Sequence, residues 1–134
     1  AVAERRRKPS EIVLGADTTV VVNGEILAKP ADESDAVRML ELLSGAVHHV
    51  FTGVVGISGD RVLEEVVGTR VRLLPLERDE ILWYVGTGEP MGKAGAYAIQ
   101  GRAARFVDWI EGSWSNVVGL PVASVHRMIE RLKR

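Results

Sequence analysis

The sequence predicts an α/β fold, a mixed β-sheet flanked by helices. Three observations lead there. Stretches whose apolar residues repeat every second position alternate with stretches of helical period. The order is hairpin, helix, long hairpin, helix, strand, helix, which is not a regular βαβ repeat. Turn residues stand at the joints: Asn23-Gly24, Ser44-Gly45, Ser58-Gly59-Asp60 and Thr87-Gly88-Glu89-Pro90. The chain has 134 residues, and residues 1–134 read as a single domain with one core.

In chain order, Ala1 to Lys8 ending at Pro9 reads as the cationic end of a helix running into a loop. Ile12 to Ala16 is a short apolar run expected to deliver the Asp17 carboxylate at its carboxyl end. Thr19 to Val22 then turns at Asn23-Gly24 and returns as Glu25 to Ala28, because both central residues of a type I′ turn need positive φ. On this reading Asp17 and Lys29 share the open end of the hairpin, with Pro30 holding Lys29 extended. Asp32 to Asp35 supply cap candidates and first-turn acids for a helix with Ala36, Val37, Leu40 and Leu43 inward.

From Val47 the period becomes two. Val47, His49, Phe51, Val55 and Ile57 are expected on one face of a strand, and Leu63, Val67, Val71 and Leu73 on one face of its antiparallel partner. Gly53, Gly56 and Gly68 read as bulges or bends. A second helix is expected from Glu77 to about Val85, burying Ile81, Leu82 and Val85. The glycine-rich segment Met91–Gly101 follows, then a strand from Ala104 to Ile110 and a loop from Glu111 to Asn116. Pro121 opens a last helix with Val122, Val125, Ile129 and Leu132 as its stripe.

Composition excludes several classes of function. A formal net charge of −1 argues against a protein that grips nucleic acid with a broad basic face. With no cysteine, disulfides, thiolate metal sites and cysteine nucleophiles are ruled out. No apolar stretch approaches the ~20 residues of a membrane span and no signal peptide is visible, so no membrane partner is expected. A cytoplasmic location fits these features.

Of the polar residues, Gly92-Lys93 invites a test for a Walker A loop. It fails, because Ala94 stands where Ser or Thr is needed and Thr87 where the first Gly belongs. What remains is a small-residue loop whose backbone can approach an anion, with Lys93 to neutralise it and Gln100 to offer an amide. His48-His49 is a poor metal pair, since neighbours in a strand point to opposite faces. Residues alone therefore point to an anion-binding α/β domain around Asp17, Lys29, Lys93 and Gln100, beside the plainer reading of turn and surface residues.

Taken together and in order, Leu14-Gly15-Ala16-Asp17-Thr18, Gly24-Glu25-Ile26-Leu27-Ala28-Lys29-Pro30, Leu42-Leu43-Ser44-Gly45, Lys93-Ala94-Gly95-Ala96-Tyr97-Ala98-Ile99-Gln100-Gly101 and Val117-Val118-Gly119-Leu120-Pro121 resemble the Maf family. These are house-cleaning nucleoside triphosphate pyrophosphatases, first described as septum-formation inhibitors. The resemblance implies a mixed-sheet fold related to the inosine-triphosphate pyrophosphatases, often dimeric. It implies hydrolysis of the α–β phosphate bond of dTTP, UTP or related modified nucleotides, giving the monophosphate and pyrophosphate with a divalent ion, Mg²⁺ or alternatively Mn²⁺. Asp17 matches the essential acid, as general base or metal ligand, and Lys29 a second catalytic position. Thr18, Lys93 and Gln100 fall within the substrate-binding motifs.

This chain departs from the family pattern at Gly92, often Asp, at Ala98, often Gly, and at Glu77, where Ser or Thr is common at the helix start. The family's amino-terminal strand and Ser-x-Ser-Pro-Arg-Arg loop have no counterpart here. Two rival readings stand beside the enzyme: a non-catalytic nucleotide-binding or division-regulating module, and an interaction domain using a free sheet edge. Lacking the arginine loop, the 134-residue chain is expected to hydrolyse dTTP and UTP slowly. Pyrophosphate release checks this, and robust turnover would contradict it.

Overall fold

A computed structural model describes residues 11–134. The helix end expected at Ala1–Pro9 lies outside the described residues. The elements are β1 (Val13–Val22), β2 (Glu25–Leu27), α1 (Glu33–Leu43), β3 (Val47–Ser58), β4 (Arg61–Leu73), α2 (Arg78–Gly86), β5 (Val107–Glu111), α3 (Trp114–Val118) and α4 (Val122–Leu132). Short 3-10 turns cover Ala94–Ala96 and Arg102–Phe106.

The sheet has the order β2-β1-β3-β4-β5. The α/β architecture holds, while every pairing among the described strands is antiparallel and none is parallel as a mixed sheet requires. Two of the pairs, β1 with β2 and β3 with β4, are hairpins, which force that direction. The first closes where predicted, at Asn23 (φ 48°) and Gly24 (φ 78°).

Pairing of β3 with β4 runs without interruption from Val47↔Arg72 to Ser58↔Arg61, so the strand glycines make no bulge there. They make room instead. Phe51 lies over Gly68, where a Cβ would sit 2.9 Å from the ring, and Gly56 lies under Met128 and Leu132. Among the described strands the register is irregular between Arg72 and Leu73, against β5.

The inner face of β3 is the reverse of the one predicted. His48, Val50, Thr52 and Val54 are buried, and His49 and Phe51 lie on the open face, stacked on each other. Apolar residues crowd the open face of β3 more than the inner one, and the hydrophobic period therefore misreads the strand. For β4 the predicted face is the inner one, with Val71 and Leu73 buried. The main core joins this face to α1 through Ala36, Met39, Leu40 and Leu43, and to α2 through Ile81, Tyr84 and Val85. A smaller cluster, Val54 with Val125, Met128 and Leu132, holds α4 against β3.

Capping follows the sequence. The Asp32 side chain accepts from the Asp35 N–H at 2.8 Å to open α1. At α2 the Glu80 carboxylate reaches back to the Glu77 N–H at 3.1 Å, which offsets the missing Ser or Thr cap. Two stretches differ from expectation. Residues 102–106 form a 3-10 turn before β5, and Ser113 caps a short helix, α3, where a loop was predicted. None of the three tryptophans is buried: Trp83 carries Arg105 over its ring at 4.6 Å, Trp109 carries Arg70 at 5.6 Å, and Trp114 is exposed.

Gly24 has positive φ and nothing within 4 Å of an added Cβ, so Gly24→Ala isolates the backbone cost of the turn. Urea unfolding is expected to show a loss of about 1 kcal/mol. An unchanged midpoint would mean that the hairpin tolerates another turn type.

Candidate active site

A cavity of about 250 Å³ brings together all five residues singled out in the sequence, Asp17, Thr18, Lys29, Lys93 and Gln100. Three segments form its walls, and Val50 of β3 adds to the lining between them.

The first is β1 with the residues after β2. Asp17 is not at a strand end as predicted. It lies within β1, opposite Gly53, because β3 continues to pair with β1 past Gly15-Ala16. Alternation turns Asp17 and Thr18 to opposite faces. Thr18 is half-buried and Asp17 exposed, which places Asp17 at the rim. β2 pairs with β1 only from Val20↔Leu27 to Val22↔Glu25. Past Leu27 the chain leaves the sheet, and Lys29 meets the cavity beside the β1 edge.

The second wall is the glycine-rich segment. Its Gly95 N–H donates to the Ala28 carbonyl at 3.3 Å, tying it to the residue before Lys29. Gly95 and Ala96 take positive φ, 73° and 63°, and the turn brings Lys93, Tyr97 and Gln100 to one cavity. Ala96 is fully buried, so packing holds a left-handed conformation that an alanine seldom adopts.

The third wall, Val117 to Gly119, follows from α3. Asn116 is fully buried. Its amide donates to the Val50 carbonyl at 2.9 Å and to Thr69 Oγ1 at 2.8 Å. Thr52 Oγ1 donates to the Asn116 carbonyl at 3.3 Å and lies 2.9 Å from Thr18 Oγ1. A buried chain of hydrogen bonds thus runs from the cavity wall through Thr52 to α3.

The cavity's chemistry is divided. Val20, Val50, Ile99 and Val117 give it an apolar lining, and its charged lining residues are two lysines and one aspartate. That balance suits an anion carrying an apolar or aromatic part. Among the described residues no group of three or more His, Asp or Glu draws together. The acidic donor lining the cavity is Asp17. One carboxylate fits Mg²⁺, which keeps its waters and takes its remaining oxygens from substrate phosphates.

Sequence reasoning missed Tyr97 and the Val117–Gly119 wall as cavity residues. Both stand in quoted motifs, but nothing local shows that they face Asp17.

The sequence model of the family described as Maf-like protein matches residues 1–132. The chain belongs to the Maf family. Among curated relatives, it is 56% identical over 126 residues to the dTTP/UTP pyrophosphatase of Symbiobacterium thermophilum, covering 94% of this chain and 63% of that protein. It is 53% identical over 131 residues to the protein of the same name from Anaeromyxobacter sp., covering 94% and 64%. For that of Koribacter versatilis it is 50% identical over 123 residues, covering 92% and 64%. The chain thus spans a little under two thirds of the length of these relatives.

In this Maf chain the floor of the second wall rests on a buried histidine. His48 Nε2 lies 2.6 Å from the Tyr97 hydroxyl, the rings meet edge to face, and Nδ1 has no hydrogen-bond partner among the described residues. Burial, with His49 beside it, lowers the His48 pKa from 6.5 to about 4. Burial also pushes the Tyr97 phenol upward, so the pair is neutral near pH 7.

The unfolded chain protonates His48 near pH 6.5, while the folded chain resists protonation until about pH 4. Stability is therefore complete above pH 6.5 and falls as pH drops toward 4, by on the order of 3 kcal/mol. Urea unfolding at stepped pH checks this. His48→Phe is expected to flatten the slope in that window, and an unchanged slope would remove His48 as its source.

Proposed function

We propose that the protein hydrolyses the α–β phosphate bond of dTTP, UTP or related modified pyrimidine nucleotides, releasing the monophosphate and pyrophosphate. The observation that carries this reading is the single cavity lined by Asp17, Thr18, Lys29, Lys93 and Gln100. It is joined by sequence identity of 50–56% to proteins named dTTP/UTP pyrophosphatase.

In the proposed reaction a water oxygen bonds to the α-phosphorus and the bond to the α–β bridging oxygen breaks. Its electron pair leaves on pyrophosphate. Asp17, at the exposed rim, takes the water's proton as general base or would instead serve as the ligand of a divalent ion. Mg²⁺, or alternatively Mn²⁺, would be held by Asp17 and phosphate oxygens, and supplies charge neutralisation when bound. Lys29 and Lys93 balance charge that builds on the phosphates as the bridge breaks. Thr18 and Gln100 offer a hydroxyl and an amide to the nucleotide, and the valines and Tyr97 give its base an apolar wall. A cytoplasmic location and a homodimer belong to the same proposal.

The test is pyrophosphate release from dTTP and UTP, by this chain and by a protein carrying it at family length, beside calorimetric binding. Asp17→Asn is expected to slow release by ~10²–10⁴-fold as loss of a general base, and Lys29→Gln by roughly 10²-fold as loss of an electrostatic partner. A loss below tenfold at Asp17 would take it out of the chemistry. Binding without pyrophosphate even at family length would favour the non-catalytic nucleotide-binding module.

A further inference from the structure

Gln100 lines the cavity from an exposed turn, and among the described residues its side chain makes no hydrogen bond of its own. The backbone sets where that side chain begins. That backbone is a turn closed by the Gly101 N–H on the Ala98 carbonyl at 3.0 Å. Its two flanking amides both end on one pair of side chains. The Ala98 N–H donates to Tyr84 Oη at 3.0 Å, and the Arg102 N–H donates to Glu89 Oε2 at 3.1 Å. Tyr84 in turn donates its hydroxyl proton to Glu89 Oε1 at 3.0 Å.

Glu89 is built into this place. Its side chain is 15% exposed, and the Arg102 guanidinium approaches it at 3.9 Å. A Cβ on Gly101 would fall 1.8 Å from its Oε1, so the carboxylate lies directly against the turn's backbone. Thr87 fixes Glu89 from behind, donating its hydroxyl proton to the Tyr84 carbonyl at 2.6 Å and accepting from the Glu89 N–H at 3.2 Å. Tyr84 itself is fully buried in the main core. A rigid helix thus holds a charged acceptor, and that acceptor holds the turn. Hydrogen bonds to a carboxylate at low exposure are among the stronger ones in a protein.

We propose that Glu89 is a positioning residue for nucleotide recognition: with Tyr84 it clamps the Ala98–Arg102 turn and so fixes the point from which the Gln100 side chain reaches the cavity. The assignment rests on the nucleotide reading above. Glu89 touches no cavity atom and acts only through the turn. Gln in its place keeps the shape but loses the charge, and with its oxygen on the Arg102 N–H its NH₂ can only donate to Tyr84 Oη, so the Tyr84 hydroxyl proton loses its acceptor.

The experiment has two arms. In the ligand-free chain, amide exchange is expected to speed up at Ala98 and Arg102 by about tenfold in Glu89→Gln, the loss of one charge-assisted hydrogen bond. The amides of β3 should keep their protection. In the second arm UTP affinity is measured by calorimetry for Glu89→Gln, Gln100→Ala and the double variant. Glu89→Gln is expected to weaken UTP by about tenfold, yet to add less than about twofold in the Gln100→Ala background, because acting through Gln100 leaves nothing further to lose.

Additive losses, or unchanged exchange at Ala98 and Arg102, would overturn the proposal. A general loss of protection that includes β3 would also overturn it, by showing a merely structural role. Should Glu89→Gln not fold, Tyr84→Phe removes the Ala98 half of the clamp and is read in the same two arms, with the faster exchange expected at Ala98. Failure of the unaltered chain to bind UTP would overturn both the recognition role and the nucleotide reading. The exchange arm, read without nucleotide, tells that outcome from failure of the clamp itself.

Discussion

Strand β3 is hydrogen-bonded on both sides, to β1 from Val21↔His49 to Val13↔Ile57 and to β4 over its whole length, and each wall of the cavity is attached to it. The β1 wall is joined by that ladder and by the Thr18–Thr52 contact. The glycine-rich wall is joined through Tyr97 on His48. The third wall is joined through Asn116 on the Val50 carbonyl and Thr52 on the Asn116 carbonyl. A doubly paired strand is the part of a sheet least given to local opening. Three separate stretches of chain therefore meet at one reference element.

The attachments are polar and buried, and that shapes what they do. His48, Thr52, Thr69 and Asn116 all lie inside. In a low-dielectric interior a paired polar group is directional and an unpaired one is costly, so such contacts specify one arrangement more sharply than apolar packing does. Apolar contacts supply the bulk of the driving force, with α1 and α2 over the same face. The polar ones select the registry between that face and the segments crossing it. Charge is kept apart from this scaffold. Lys29, Lys93 and Asp17 stand toward solvent, where a charged ligand can reach them without the groups first being desolvated.

The local elements were legible because their signals are local. Asn23-Gly24 readily takes the positive φ that a two-residue hairpin turn needs, and Asp32 caps α1 through a residue three positions on. Where reading failed, the deciding contact was distant. Val47, Phe51, Val55 and Ile57 outweigh His48, Thr52 and Gly56 in hydrophobicity, so alternation alone selects the wrong face of β3. The inner face holds polar and small residues because Tyr97 and Asn116 satisfy them and because Met128 and Leu132 need the space over Gly56. Gly15-Ala16 looks like a stop and so predicts Asp17 at a strand end, yet β3 pairs across it. The short helix α3 has too few residues to show a helical period.

What the sequence determined by itself was the order and kind of most elements, the turns between them and, through motifs taken in order, the residues Asp17, Thr18, Lys29, Lys93 and Gln100 as a set. Each of these rests on interactions between near neighbours or on an ordered pattern along the chain. Only the tertiary structure decided which face of the sheet is inside, that β1 runs through Asp17, and that Tyr97 and Val117–Gly119 share a cavity with the predicted set. Those facts depend on partners such as His48 and Tyr97, or Thr52 and Asn116, separated by 49 and 64 residues. No period in the sequence spans such distances. They are settled only when the whole sheet closes and buried polar groups such as the Asn116 amide and the Thr52 hydroxyl meet their partners.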